Sequence, residues 1–259
     1  MRLVVLTNRD SRFGLTILNE CKALGVHVDA VVTIRQPFSY DRMLFRYVQR
    51  RVGWLQALYF GVRRMIHGLS NTIRDRWLRP EFVMDFAKLA DEVHETRGTN
   101  TPDTLAVLRK LRPDLIVIGQ TGIIRRKLLE IPRLGTLNGH PGILPDYRGI
   151  DSFHWAILRD EPEKVGVTVH WVDTGVDTGP MIRRERLPLV DESLTAFDDR
   201  LFDFASRQLA EVAREIDPAN PPAGTPQAPE EGTQYYKMTI GQEREVRRKL
   251  REMAVHPKR

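Results

Sequence analysis

Asn138 and His140 stand two apart in the stretch LNGHPGILPDYRG, and Asp173 and Asp177 stand four apart in a second glycine-rich stretch, DTGVDTGP. An amide N–H can donate to an oxygen that is gaining negative charge, and a neutral imidazole can take a proton from an attacking amine. A carboxylate completes such a pair by orienting the imidazole and balancing the charge of its protonated form. Together the three groups suit the transfer of an acyl group to an amine. Either aspartate of the second loop can fill the third role.

Each piece also has a plainer use. Gly142, Pro145 and Gly149 can simply shape a loop, and Asp173 has the character of a turn-former. His154 and His170 belong to no motif and are expected to be core or surface histidines. Cys21 falls on the apolar side of a helix and is assigned to packing. The seven histidines lack the C-x-x-C or H-E-x-x-H spacing of a metal site, so none is expected.

For the amide and imidazole to act together, a rigid element must present them side by side. Residues 135–140 form the end of a strand, where side chains two apart share a face, and Pro141 holds His140 extended at the turn. Upstream, the apolar run 2–7, the helically spaced 13–24 closed by Gly25, and the strand 27–34 make a β-α-β opening. Residues 84–95 and 102–111 have helical spacing, and 114–118 make a buried strand. Helices alternating with apolar strands predict an α/β fold, a Rossmann-like open and mostly parallel sheet that binds ligands at the C-terminal edge of its strands.

A further strand over 166–172 leads into the loop of Asp173 and Asp177, and 193–216 follow as a long amphipathic helix capped by Ser193. The spacing thus predicts a catalytic domain over 1–216, a proline-rich extended linker over 217–232, and a strand and charged helix over 233–259.

A hydrophobic share of 41% with 29% charged residues is an ordinary globular balance, which sets disorder aside. The net charge of +6 is concentrated between residues 42 and 79, within a basic insertion at about 36–80. Residues 42–66 step as a basic amphipathic helix carrying Trp54, Tyr59 and Phe60. Packing on the domain or against a second subunit is its expected use, with peripheral membrane contact as the alternative. Charge alone does not call for a nucleic-acid partner. A single cysteine, and no apolar run of bilayer-spanning length, point to a reducing, cytoplasmic setting. The opening MRLVVLTNRD reads as a first strand rather than a signal-peptide core.

From RPDLIVIGQTGIIRRKLLEIPRLGTLNGHPGILPDYRG through GVTVHWVDTGVDTGPMIRRERLPL the chain resembles the 10-formyltetrahydrofolate-dependent formyltransferases. Their N-x-H, the following L-P-x-Y-R-G loop and the later D-x-G-P set the three catalytic positions on Asn138, His140 and Asp177, the last because it directly precedes T-G-P. The resemblance implies that Asn138 holds the formyl oxygen, that His140 takes the amine proton and that Asp177 sustains the imidazolium. It further implies that 10-formyltetrahydrofolate is the co-substrate. Backbone around Gln120, Gly122, Ile123 and Ile124, with the loop that begins at Asp173, would cradle the pterin, lined also by Ile143 and Leu144.

The first β-α turn, TNRDSRFG, lacks the phosphate loop of glycinamide ribonucleotide formyltransferases, and little chain follows residue 216 for the C-terminal barrel of methionyl-tRNA formyltransferases. The plan is closest to the sugar N-formyltransferases. It implies a primary amine on a nucleotide-linked amino sugar as acceptor, a homodimer, and Arg9, Arg12 and Arg148 as candidate contacts for a phosphate or the substrate. Formylation of glycinamide ribonucleotide or methionyl-tRNA, and hydrolysis of the formyl-folate by the same three residues, are the alternatives.

Overall fold

The computed structural model describes residues 1–35, 49–50, 53–55, 57–58, 61–62, 85–228 and 230–255. Its centre is β1 (Leu3–Asn8), an apolar strand buried on both faces, as a strand in the middle of a parallel sheet must be. It pairs in parallel with β2 (Ala30–Ile34) on one side and β4 (Leu115–Gly119) on the other, with Val4 opposite both Ala30 and Ile116. Beyond β2 lies β3 (Glu92–Thr96), and beyond β4 lies β5 (Gly135–His140), both parallel. Two antiparallel strands, β7 (Gly166–Trp171) and β8 (Met181–Arg186), complete the seven-stranded order β3-β2-β1-β4-β5-β7-β8. The chain turns from one direction of strand addition to the other between β1 and β4, which opens a crevice at their C-terminal ends.

Alternation along β1 feeds two cores. Leu3 and Val5 face α1 (Arg12–Ala23) and the long α5 (Leu194–Glu215). Val4 and Leu6 face α2 (Pro102–Leu111) and the short α3 (Arg126–Leu129), through Leu105, Leu108 and Leu128. Burying each such leucine contributes about 1.5–3 kcal/mol. Ser11 caps α1 by accepting from the Gly14 N–H at 3.0 Å, and Ser193 caps α5. Cys21 is fully buried, and that burial, with Glu20 adding to it, pushes its thiol up to about 12, as suits a packing residue.

β5 lies hard against α5: a Cβ on Gly139 would stand 2.7 Å from Leu209 Cδ1. A side chain there would have to displace Leu209, and the residues on either side, Asn138 and His140, lie on the opposite face of the strand.

The later chain closes back on this body. β6 (Tyr147–Gly149) pairs in parallel with β9 (Thr233–Tyr235), and α6 (Ile240–Val255) packs on α4 (Ser152–Leu158), burying Val246 and Leu250 in the α5-side core. The tail therefore spends these apolar side chains within its own chain.

Three expectations change. Helical spacing over 84–95 gives way to one 3-10 turn, Phe86–Lys88, and the edge strand β3, whose polar sequence EVHET carries little apolar signal. The strand expected over 27–34 begins at Ala30. The proline-rich 217–228 is extended but not free, since Thr225 bridges Met181 and Pro222 accepts from Trp171 Nε1. The basic helix over 42–66 lies mostly outside the described residues; of its described positions, Trp54, Leu55, Leu58 and Val62 are exposed and Ala57 is buried. Among the described residues, no helix is long and apolar enough to cross a membrane.

Candidate active site

β5 and β7 meet in antiparallel register with Asn138 opposite His170 and His140 opposite Thr168. Four polar side chains so line one face where an apolar sheet would otherwise continue. Thr168 is fully buried and fixes the turn after β5, donating to the Gly142 carbonyl at 2.8 Å and accepting from the Leu144 N–H at 3.0 Å. A bulge between Val169 and His170 in the pairing with β8 turns the end of β7 toward the following loop.

That loop, 172–180, delivers Asp177. The Trp171 N–H donates to the Pro180 carbonyl at 2.9 Å, closing its base. Gly179 passes so near that a Cβ would fall 1.8 Å from the Trp171 carbonyl oxygen, so the loop can fold back over β7 only with glycine there. Asp177 itself adopts φ of 53°, a left-handed conformation that aspartate tolerates better than most side chains. Its Oδ2 lies 3.4 Å from His140 Nδ1 and accepts from the Gly149 N–H at 2.9 Å, while its Oδ1 accepts from Asn138 Nδ2 at 3.4 Å.

The hydrogen-bond partners assign the tautomers. His140 Nε2 stands 2.7 Å from the Tyr147 carbonyl oxygen, which can only accept, so Nε2 carries the hydrogen and Nδ1 carries the lone pair. His170 Nδ1 donates likewise to the Trp171 carbonyl at 2.8 Å, leaving its Nε2 to accept from Asn138 Nδ2 at 3.1 Å. Both amide hydrogens of Asn138 are thus aimed, one at His170 and one at Asp177.

Burial pushes the His140 ring below its ordinary pKa, against the pull of the Asp177 charge, so near neutrality the ring is an unprotonated base. Burial alone would raise the Asp177 carboxyl; its interactions with the neighbouring His140 and His170 rings and the Gly149 N–H outweigh it and hold the carboxyl well below the usual range. A neutral base faces a fixed carboxylate, and a proton arriving on Nδ1 turns that contact into an ion pair.

Asn138, His140 and Asp177 come together. Asp173 does not join them: its Oδ1 accepts from the Gly175 N–H at 3.0 Å and from the Thr178 hydroxyl at 2.7 Å, which shapes the loop. His170, expected to be an ordinary core or surface histidine, is buried beside Asn138 and Asp177. Its register opposite Asn138, on the polar face it shares with Thr168, was the available signal.

Ile118 of β4 pairs with Asn138, so the loop leaving β4 runs beside the trio. Gln120 and Gly122 are left-handed there, at φ of 58° and 77°, and Ile123 is 72% exposed. Asn8 donates to the Gln120 carbonyl, Thr99 to that of Thr121 and Asn100 to that of Ile123, the last at 2.9 Å. Ile124 is buried in the α2-side core, Leu144 is fully buried and Ile143 is partly exposed. Arg12 pairs with Asp199 at 2.6 Å and Arg9 with Glu95 at 3.1 Å. Arg148 is buried, with its guanidinium bound to Gln227 and Ala228.

A family model described as formyl transferase matches residues 70–213. A methionyl-tRNA formyltransferase of Trichlorobacter lovleyi is 37% identical over 142 residues, covering 54% of this chain and 45% of that protein. The chain spans about half the length, or less, of the curated relatives it matches. A 4-N formyltransferase of Francisella tularensis superposes with a TM-score of 0.57 at 15% identity, over 96% of this chain and 87% of that one. A glycinamide ribonucleotide transformylase of Symbiobacterium toebii gives 0.53 at 20% identity, over 83% and 86%. Both likenesses are of fold.

Proposed function

Because the chain belongs to the formyl transferase family, we propose that it moves a formyl group from 10-formyltetrahydrofolate to the primary amine of a small substrate, a nucleotide-linked amino sugar in the first instance. The observation that carries this reading is the partly buried Asp177 carboxylate set between His140 Nδ1 and Asn138 Nδ2.

The roles follow from the atoms. Asn138 exchanges its long 3.4 Å contact with Asp177 for the formyl oxygen and donates to it as that oxygen gains charge, which is where a fixed donor lowers a barrier most. His140 Nδ1 takes the proton that the amine sheds as its nitrogen bonds to the formyl carbon, and Asp177 balances the resulting imidazolium. The same proton is then available for the nitrogen that departs, so the ring ends neutral. His170 keeps the amide of Asn138 turned the right way.

The folate supplies the formyl group at the oxidation level of an amide. Three features at the C-terminal ends of β1 and β4 suit its flat heteroaromatic ring: the exposed Ile123, the left-handed backbone at Gln120 and Gly122, and the Asn8 Oδ1, buried without a hydrogen-bond partner and so left to accept from a ligand.

Methionyl-tRNA is the second reading, favoured by the curated relatives of that name and by a net charge of +6. Incubating the chain with 10-formyltetrahydrofolate and following tetrahydrofolate release tests all of these. Release that requires an amino sugar nucleotide supports the first reading; release that requires methionyl-tRNA replaces it with the second. Release without any amine means hydrolysis, and no release under any condition ends the proposal.

A further inference from the structure

Asp177 is tied to β6 twice. Its carboxylate accepts from the Gly149 N–H at 2.9 Å. Its backbone carbonyl accepts from Gln227 Nε2 at 3.1 Å, and the same Gln227 nitrogen donates to the Gly179 carbonyl at 2.7 Å. The oxygen of the Gln227 amide is held in turn by Arg148, the residue before Gly149, from Nε at 3.2 Å and Nη2 at 3.0 Å. A closed ring results: Asp177 carboxylate, Gly149, Arg148 guanidinium, Gln227 amide, Asp177 carbonyl.

Gln227 arrives on the extended strap 217–228, which is fastened before it reaches the loop. Trp171 Nε1 donates to the Pro222 carbonyl at 2.8 Å, and Met181 and Thr225 exchange backbone bonds at 2.8 and 2.7 Å. The amide suits its place because it meets two carbonyl acceptors with N–H groups and a cation with its oxygen. Alanine offers none of these, and glutamate keeps only the cation contact.

A non-glycine residue in the left-handed region is disfavoured and persists only where its surroundings hold it. At Asp177 those surroundings are the ring just described. We propose that Gln227, anchored by Arg148, is a positioning residue for Asp177: by gripping the backbone at 177 and 179 it keeps the carboxylate against His140 Nδ1. The kinetic part of this inference rests on the formyl-transfer reading, while the structural part does not.

The test uses the whole chain without ligand and reads the ring nitrogens of His140 by NMR, assigned by their loss in His140→Ala. The groups that face this ring are Asp177, His170 and the Tyr147 carbonyl. Gln227→Ala and Gln227→Glu should both move the Nδ1 resonance toward the position it takes in Asp177→Asn. Trp171→Phe, which loosens the strap at Pro222 without touching 177–179, should leave it in place. Should the alanine variant not fold, the glutamate variant, still paired with Arg148, carries the test. In turnover, both Gln227 variants should lower kcat roughly tenfold with KM within about twofold, as a small misplacement of a catalytic group does. A His140 resonance unmoved in the folded Gln227 variants overturns the inference, as does an equal movement in Trp171→Phe. If the unaltered chain transfers no formyl group, the reaction reading fails while the resonance still decides the latch.

Discussion

Two loops flank the polar face of β5, one following the parallel β4 and one following the antiparallel β7, and they are built on opposite plans. The loop after β7 closes on itself: Gly179 packs against a carbonyl, the Asp177 carboxylate is fixed by the Gly149 N–H, and a strap from the far end of the chain grips its backbone. The loop after β4 is braced mainly through its carbonyls, with the Gln120 side chain held by Ser11 and the Arg125 N–H by Asn100, and it leaves Ile123 in solvent. A proton-handling carboxylate must sit within a few tenths of an ångström of its partner, whereas a flat ring needs apolar surface and room to enter. On the proposed function, the closed loop serves the first need and the open loop the second.

If this division holds, damage to the closed loop should appear in kcat and damage to the open loop in KM. The largest effect is expected from His140→Ala and Asp177→Asn, each lowering kcat about a hundredfold or more with the folate KM within a few fold, since general-base and charge-stabilising terms are of that size. Near-normal turnover in either variant would remove the chemistry from this cluster. Next comes Ile123→Asp, a charge on the exposed wall of the open loop: the folate KM should rise about tenfold, equivalent to about 1.4 kcal/mol, with kcat kept. A folate affinity indifferent to that charge would place the ring elsewhere.

A smaller effect concerns pH. Burial holds the His140 ring below its ordinary 6.5, so the acid limb of kcat/KM should lie under that value and the rate should be flat through neutrality. Asp177 pulls the ring upward against burial, so the residual activity of Asp177→Asn should show its acid limb at still lower pH. A limb displaced toward neutrality would mean that the carboxylate does not face the titrating group.

The two plans were unequally legible. Apolar runs and glycine punctuation suffice to find β1, β4 and β5, because buried parallel strands advertise themselves in every residue. Likewise Asn138 and His140 share a face for any strand ending at Pro141. The polar edge strand β3 has no such signature, since its partner β2 rather than its own side chains calls it into the sheet. His170 becomes visible only once β7 is set antiparallel to β5, a pairing that depends on register and not on local sequence. Gln227 is further still from sight. It sits in a run of prolines and small residues whose composition says extended, and its two carbonyl acceptors lie 50 and 48 positions upstream.

The finest distinction between the loops comes from a single amide on the open side. Asn100, on the connection from β3 to α2, donates from Nδ2 to the Ile123 carbonyl at 2.9 Å and accepts on Oδ1 from the Arg125 N–H at 2.8 Å, spanning the far end of the 120–125 loop as Gln227 spans the other. In Asn100→Ala the bonds from Asn8 to Gln120 and from Thr99 to Thr121 remain, so the base of the loop keeps its course and only the part around Ile123 loosens. Re-ordering that part on binding costs about 1 kcal/mol or less, which appears as a roughly threefold to fivefold rise in the folate KM with kcat unchanged. Gln227→Ala should show the reverse, a fallen kcat over an unchanged KM. Steady-state kinetics on the two variants side by side therefore decide whether the loops are separable: if Asn100→Ala lowers kcat instead, the open loop also positions the reacting groups, and the division of labour between the two is wrong.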